Sequence, residues 1–297
     1  MLLPDGSILT AFGTGYRCQK DGNGQSSPRD VGLIHWRVAE APDAGVHPVR
    51  DASADSELRN GFDPSAGTPA ATPVYQIHRT GTPIAIDGRL DEPAWFAAPE
   101  VGPFQFTWHK HGTQEQSVAK LLWDDENLYV AHICEDAHIT ARHTQHDGPI
   151  PEDDCFEVIF APDPARPDVY FNIEWNVIGG YVDNHRPEGP KKPRAKVWDA
   201  EGVRIAGTFE GTLNDDSDTD SRWTVEVSIP LRNFAKYMPH MPPQPGSHWN
   251  LNLNRHGGQT NAQYSQWSRA DTSTPSFHTP HRFGKAEFSA TTAPFDR

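Results

Sequence analysis

From residue 75 onward the chain is broken into short runs in which apolar and polar side chains alternate, with Gly, Pro, Asn and Asp between the runs. Alternation at a period of two is the mark of a strand with one covered face, because side chains at i and i+2 point the same way. The pattern predicts strands at Ile84–Ile86, Ser117–Trp123, Asn127–Cys134, Cys155–Ala161, Tyr170–Val177, Gly180–His185, Arg204–Gly211, Trp223–Ile229, Trp249–Arg255 and Tyr264–Trp267. Helical periodicity is confined to two single turns, Glu92–Ala98 and Pro230–Phe234, the second opening on a proline whose missing N–H costs nothing there. Ten short strands without a long helix predict an all-β fold, an antiparallel two-sheet β-sandwich of jelly-roll type.

Three of these runs carry unusual polar faces. In YFNIEWNV, Phe171, Ile173, Trp175 and Val177 lie on one side, and Asn172, Glu174 and Asn176 on the other with Tyr170. In WNLNLNRH, Trp249, Leu251, Leu253 and Arg255 oppose Asn250, Asn252, Asn254 and His256. In CFEVIF, Glu157 shares its side with Cys155 and Ile159. Asn and Glu are poor strand formers. Two accounts of their concentration stand open: the amides satisfy loops and the sheet itself, or they present donors and acceptors to vicinal hydroxyls of a ligand.

The N-terminal part reads differently. Ser7–Phe12 and Val31–Val38 have strand character, separated by the Gly-, Ser- and Gln-rich CQKDGNGQSSPRD, and two strands bury too little to stand alone. The expected organisation is a strand pair within residues 1–40, a disordered linker over 41–74, rich in Ala, Asp, Ser, Gly and Pro, a folded domain over 75–290 and a short tail over 291–297.

Composition narrows the chemistry. The 297 residues contain 24 Gly and 27 Pro, which suits strands joined by turns, and the formal net charge is −14. An acidic chain lacks the basic footprint that nucleic acid or an anionic membrane surface needs, and no run approaches the ~20 apolar residues of a membrane span. The opening MLLPDGSILT does not read as a secretory signal peptide. Cys18, Cys134 and Cys155 fit no zinc or redox spacing, and an odd count leaves an unpaired thiol. The acidic run PEDD offers Asp153 and Asp154 as structural calcium ligands, hard oxygen donors of the type that ion takes. Glu152, Asp153, Asp154, Glu157 and Glu174 are the carboxylates a glycosidase would draw on. A haem would want an axial Met and His, yet apart from Met1 the only methionines are Met238 and Met241, in a Pro-rich loop.

Four stretches, taken in order, resemble the family 9 carbohydrate-binding modules and their DOMON-like relatives: IAIDGRLDEPAWFAAP, VAKLLWDDENLYVAHICED, PEDDCFEVIFAPD and QWSRADTSTPSFHTPHRFGKAEF. The resemblance covers residues 75–290. It implies a module that holds a saccharide, without chemistry of its own, outside the cytoplasm in the extracellular or periplasmic space. The candidate ligand-binding set, from faces and resemblance together, is Glu157, Asn172, Glu174, Asn252, Asn254, Arg255, Trp267 and Phe277. Glu157 falls on the family's gripping glutamate, Asn172 and Asn252 on polar contact positions, and Phe277 on a stacking aromatic. Pro151 stands where a second stacking Trp would be, so the aromatic clamp is expected to be one-sided or completed by another loop residue such as Trp108 or His143. The N-terminal LLPDGSILTAFGTGYR and PRDVGLIHWR are similar to the closing strands of a sialidase-like propeller, which implies a catalytic domain beyond this chain.

Overall fold

The computed structural model describes residues 71–191, 198–238, 240–258 and 260–292, and the backbone of 8–13 and 31–36. Most of the expected linker and the tail from residue 293 lie outside the described residues. The chain divides into two units, 1–59 and 60–297. In the first, β1 (Ile8–Gly13) and β2 (Val31–Trp36) pair antiparallel, Ile8 opposite Trp36 and Gly13 opposite Val31.

The second unit is almost entirely β. Its strands are β3 (Val74–Arg79), β4 (Ser117–Trp123), β5 (Asn127–Glu135), β6 (Cys155–Ala161), β7 (Tyr170–Asn176) and β8 (Tyr181–Arg186), followed by β9 (Arg204–Glu210), β10 (Arg222–Pro230), β11 (His248–Gly257), β12 (Gln263–Gln266) and β13 (Gly284–Thr292). The single described α-helix, α1 (Pro93–Ala97), is one turn with proline at its start. The strands hydrogen-bond in the order β8-β7-β6-β11-β13-β3-β4-β5-β10-β9, with β12 added to β11.

This differs from the expected sandwich of two separate antiparallel sheets. β3 runs parallel to both β13 and β4 and joins the halves into one mixed sheet. The junction is slight on one side, where only His78 with Leu122 and Arg79 with Trp123 pair β3 to β4. The continuous sheet curls so that its halves face each other. His132 of β5 stacks on Phe156 of β6 at 4.0 Å between ring centres, although four strands separate them in the sheet. Between the halves lies a core in which Trp123, Trp175, Trp223 and Trp249 are fully buried. Burial of large aromatic rings on this scale is the main favourable term for such a fold.

Ile84–Ile86, expected as a strand, is irregular chain. Its segment is fixed by one buried carboxylate on β10. Glu226 Oε2 accepts the backbone N–H of Asp87, Gly88 and Arg89 at 3.1, 2.8 and 3.2 Å, and Oε1 accepts the Trp95 indole N–H at 2.7 Å. Gly88 has φ +82°, and a Cβ there would meet the Gly207 backbone at 2.8 Å, so only glycine lets the turn lie this close to β9. The DGRLDEPAW stretch is thus a covering segment tied to the sheet by Glu226 and by Ile84 and Trp95, which bury against Leu122 and Tyr129.

Candidate functional site

The polar faces read from alternation come together on the outer side of β8, β7, β6 and β11. Register sets them in rows across the strands. Asn254 is opposite Glu157, and Glu157 is opposite Glu174; Asn172 is opposite Asn184; His256 is opposite Cys155. The intervening residues Val158, Ile173 and Leu253 enter the core. Within the face Asn254 Nδ2 donates to Glu157 Oε2 at 3.0 Å, and Asn172 Nδ2 donates to Glu174 Oε1 at 3.1 Å. Asn172 Oδ1, Asn254 Oδ1, Glu157 Oε1 and Glu174 Oε2 receive no hydrogen bond from any N–H or hydroxyl of the described residues, although all four are buried. Such groups cost free energy unless something supplies a donor.

Register sets Glu157 and Glu174 side by side on this face. Burial first, and then the charge of Glu174, push the Glu157 carboxyl well above the usual range, with the Asn254 amide opposing. Burial would raise Glu174 as well, but the His256 ring, 3.5 Å from Oε2, and the neighbouring Glu157 carboxyl outweigh it and hold Glu174 below its usual value. The two neighbouring carboxyls are thus shifted in opposite directions.

A cleft of about 450 Å³ opens over this face. Its sheet side is Asn172, Glu174, Asn184 and Arg186, and Pro149, Pro151 and His278 close it from the loops. Pro151 is therefore at the cleft, where the resemblance would place an aromatic ring. An aromatic wall borders the face on the other side. His256 lies parallel to Tyr264 at 6.1 Å, Phe277 is 5.8 Å from His256 and 5.6 Å from Trp108, and the Trp108 indole donates to Thr272 O at 2.7 Å. Beyond this wall Trp108 and Tyr264 line a larger cleft of about 620 Å³ with His109, Lys110 and Pro275.

The structure brings together Glu157, Asn172, Glu174 and Asn254 of the expected set and removes others. Arg255 is fully buried on the opposite side of β11, where Nη2 donates to Asp136 Oδ2 at 2.9 Å and Nη1 to the carbonyls of Glu115 and Glu135. Its parity with Leu253 and Leu251 puts it there. Asn252 shares the polar face, but its amide is consumed by Ser268, accepting from Ser268 N at 2.8 Å and donating to Ser268 O at 2.9 Å. Trp267 is a core ring, edge-on to Tyr75 and pressed against Gly284. Phe277 is only 9% exposed, packed on Ile159, Tyr170 and Phe283, so it forms the floor of the wall, whereas Tyr264 at 41% is the ring free to stack.

Both expected calcium ligands hold backbone donors through one oxygen, while Asp153 Oδ1 receives no hydrogen bond among the described residues. Asp153 Oδ2 accepts the N–H of Arg142 and His143 and the Asn176 amide, and Asp154 Oδ2 accepts Thr140 N. His143 lies with Glu152 and Asp153, away from the aromatic wall. Met238 and Met241 pack against the main core. Sequence reasoning missed Tyr264, Asn184 and Arg186 as neighbours of the site, and put His256 and Cys155 on its faces without counting them in the candidate set. The parity of β6, β8 and β11 contained the signal for all but Tyr264; the register between strands, which assembles them, did not show.

Residues 103–288 match the family described as Carbohydrate-binding family 9. A crystal structure of a candidate carbohydrate-binding protein from Bacteroides uniformis superposes with TM-score 0.61 at 16% identity, covering 74% of this chain and all of that one. A carbohydrate binding module family 9 from Caldicellulosiruptor kristjanssonii in complex with glucose gives TM-score 0.51 at 15% identity, covering 75% of this chain and all of that one. No curated protein matches the chain.

Proposed function

The chain belongs to carbohydrate-binding family 9, and from that premise we propose that it holds a saccharide unit on the outer face of β6, β7, β8 and β11 without cleaving it. The observation that carries this reading is the row of buried Asn172, Glu157, Glu174 and Asn254 oxygens that receive no N–H or hydroxyl donor. A sugar supplies hydroxyl donors spaced on one ring face, the groups these oxygens lack. Tyr264 offers its π-face to the axial C–H side of a ring, an interaction like that of bases on aromatic side chains.

Cleavage is disfavoured by the placement of the carboxyls. A glycosidase sets two of them on opposite sides of the scissile bond, about 5–9.5 Å apart. Glu157 and Glu174 are neighbours in one row of one surface. The resemblance of the N-terminal strands to a propeller supports a second, looser reading, in which this module accompanies a catalytic domain. An extracellular or periplasmic site of action fits a module whose ligand is a polysaccharide. Among the described residues no helix is long and apolar enough to cross a membrane.

The test is calorimetric titration of the full chain with glucose, cellobiose and a panel of other neutral sugars, beside Asn172→Ala and Tyr264→Ala. Loss of a hydrogen-bonding partner or of the stacking ring removes about 1–3 kcal/mol, a roughly 5- to 150-fold weaker Kd. Folded wild-type protein that binds no sugar, or variants that bind as tightly as it does, would overturn the reading.

A further inference from the structure

Cys155, Glu174 and His256 come from three adjacent strands and aim at one point. Cys155 Sγ is 3.0 Å from His256 Nε2, Glu174 Oε2 is 3.5 Å from the same nitrogen, and all three donor atoms lie within 4.8 Å of one another. We propose that these three side chains form a binding site for a zinc-like divalent metal ion at the edge of the polar face.

Three features favour an ion over the other uses of such a trio. A thiol, an imidazole and a carboxylate could form a nucleophilic relay, but then the carboxylate must hold the far ring nitrogen so that the near one faces the sulfur. Here sulfur and carboxylate converge on the same Nε2, which cannot orient the ring for proton transfer but does set three donors around a common centre. The donor types are those of zinc rather than calcium, one soft sulfur, one nitrogen and one oxygen. With bonds of about 2.0–2.3 Å, a tetrahedral ion places its ligand atoms about 3.3–3.7 Å apart; the 3.5 Å between Glu174 Oε2 and His256 Nε2 already lies in that range, and the 3.0 Å between Cys155 Sγ and His256 Nε2 has to open on binding.

The second, independent observation is how Glu174 is held. Asn172 Nδ2 fixes Oε1, while Oε2, buried and receiving no N–H or hydroxyl bond, is the oxygen turned toward His256. His256 is in turn steadied between Tyr264 and Phe277. Binding is balanced as an exchange: Cys155 releases its thiol proton to solvent, the sulfur bonds the ion, and His256 and Glu174 bind in their deprotonated forms. Three protein ligands leave the fourth position to water or to a ligand oxygen in the adjoining cleft. The site does not depend on the saccharide reading and is tested without sugar.

The experiment is titration of the reduced full chain with Co²⁺, followed by displacement with Zn²⁺. One equivalent of four-coordinate Co²⁺ with a thiolate ligand gives a near-ultraviolet sulfur-to-metal charge-transfer band and intense visible bands, which Zn²⁺ abolishes. Cys155→Ser removes the charge-transfer band, and Cys134→Ser, whose thiol sits against Ser117 in the core, keeps it. Should the buried Cys155→Ser protein fail to fold by circular dichroism, His256→Gln, at a partly exposed ring, takes its place. It must weaken Zn²⁺ by more than the roughly 10- to 100-fold that loss of an outer partner costs. Absence of the band in folded wild-type protein, its survival in Cys155→Ser, its loss in Cys134→Ser, or unchanged Zn²⁺ affinity in His256→Gln would overturn the proposal.

Discussion

Replacing Glu226 cuts every tie that one side chain makes to the covering segment at residues 87–95. Its four accepted bonds, from Asp87, Gly88, Arg89 and the Trp95 indole, lie between 2.7 and 3.2 Å, and the side chain is wholly buried. A hydrogen bond to a charged group contributes about 1.5–3 kcal/mol, so four would amount to several times that if they were independent. They are not, because the carboxylate repays its own desolvation once. Burial pushes its pKa up to about 7 despite those donors, so at pH 8 it is largely ionised and that repayment is in force. The expected loss for Glu226→Ala at pH 8 is therefore about 3–5 kcal/mol, the range for breaking a buried charged network. For Glu226→Gln it is about 2–3 kcal/mol, since the amide nitrogen must confront either the indole N–H or the three backbone donors. Urea unfolding of the full chain, followed by tryptophan fluorescence and far-ultraviolet circular dichroism, measures both. A loss below about 1 kcal/mol in both variants would show that water replaces the carboxylate at no cost, and that the segment is held by its other contacts, Ile84, Trp95 and the bonds from Thr208 to Gly88 O and Lys120 to Trp95 O.

Three further outcomes follow from the same physics. Glu157→Gln should unfold within about 1 kcal/mol of wild type at pH 7, because burial and Glu174 push the carboxyl it replaces toward its neutral form, which an amide resembles; urea midpoints check this. Trp267→Ala should cost about 3–5 kcal/mol in the same assay, as expected for emptying a core site where the ring meets Tyr75 and Gly284. His185 lies parallel to Phe171 at 4.3 Å, and burial, aided by Lys236, lowers its pKa to about 4. The unfolded chain takes up that proton near pH 6.5, so stability is retained above that pH and falls as the pH drops toward 4. After solvent screening the loss is about 2 kcal/mol. His185→Phe should lose less stability than wild type over that interval in acid-titrated unfolding, and parallel pH curves would refute the assignment.

Much of this protein is settled by local pattern. Period-two alternation, dense turn residues and the want of helical periodicity are properties of neighbouring residues, so nearly all the strands from β4 to β12 and their two faces were legible in the chain. The parity of Asn172, Glu174 and Asn254 against Ile173 and Leu253 was likewise there to read. It also placed Arg255 on the core side, where it meets Asp136 and not a ligand. Tertiary structure alone decided what depends on distant partners. The parallel insertion of β3 between β13 and β4 joins residues some two hundred positions apart and turns an expected pair of sheets into one curled sheet. Asn252 and Asn254 look alike along the chain, yet Ser268 engages one completely while Glu157 leaves the other an open oxygen. The convergence of Cys155, Glu174 and His256 is of the same kind: sequence sets the face on which each side chain stands, but the register between strands sets which atoms meet.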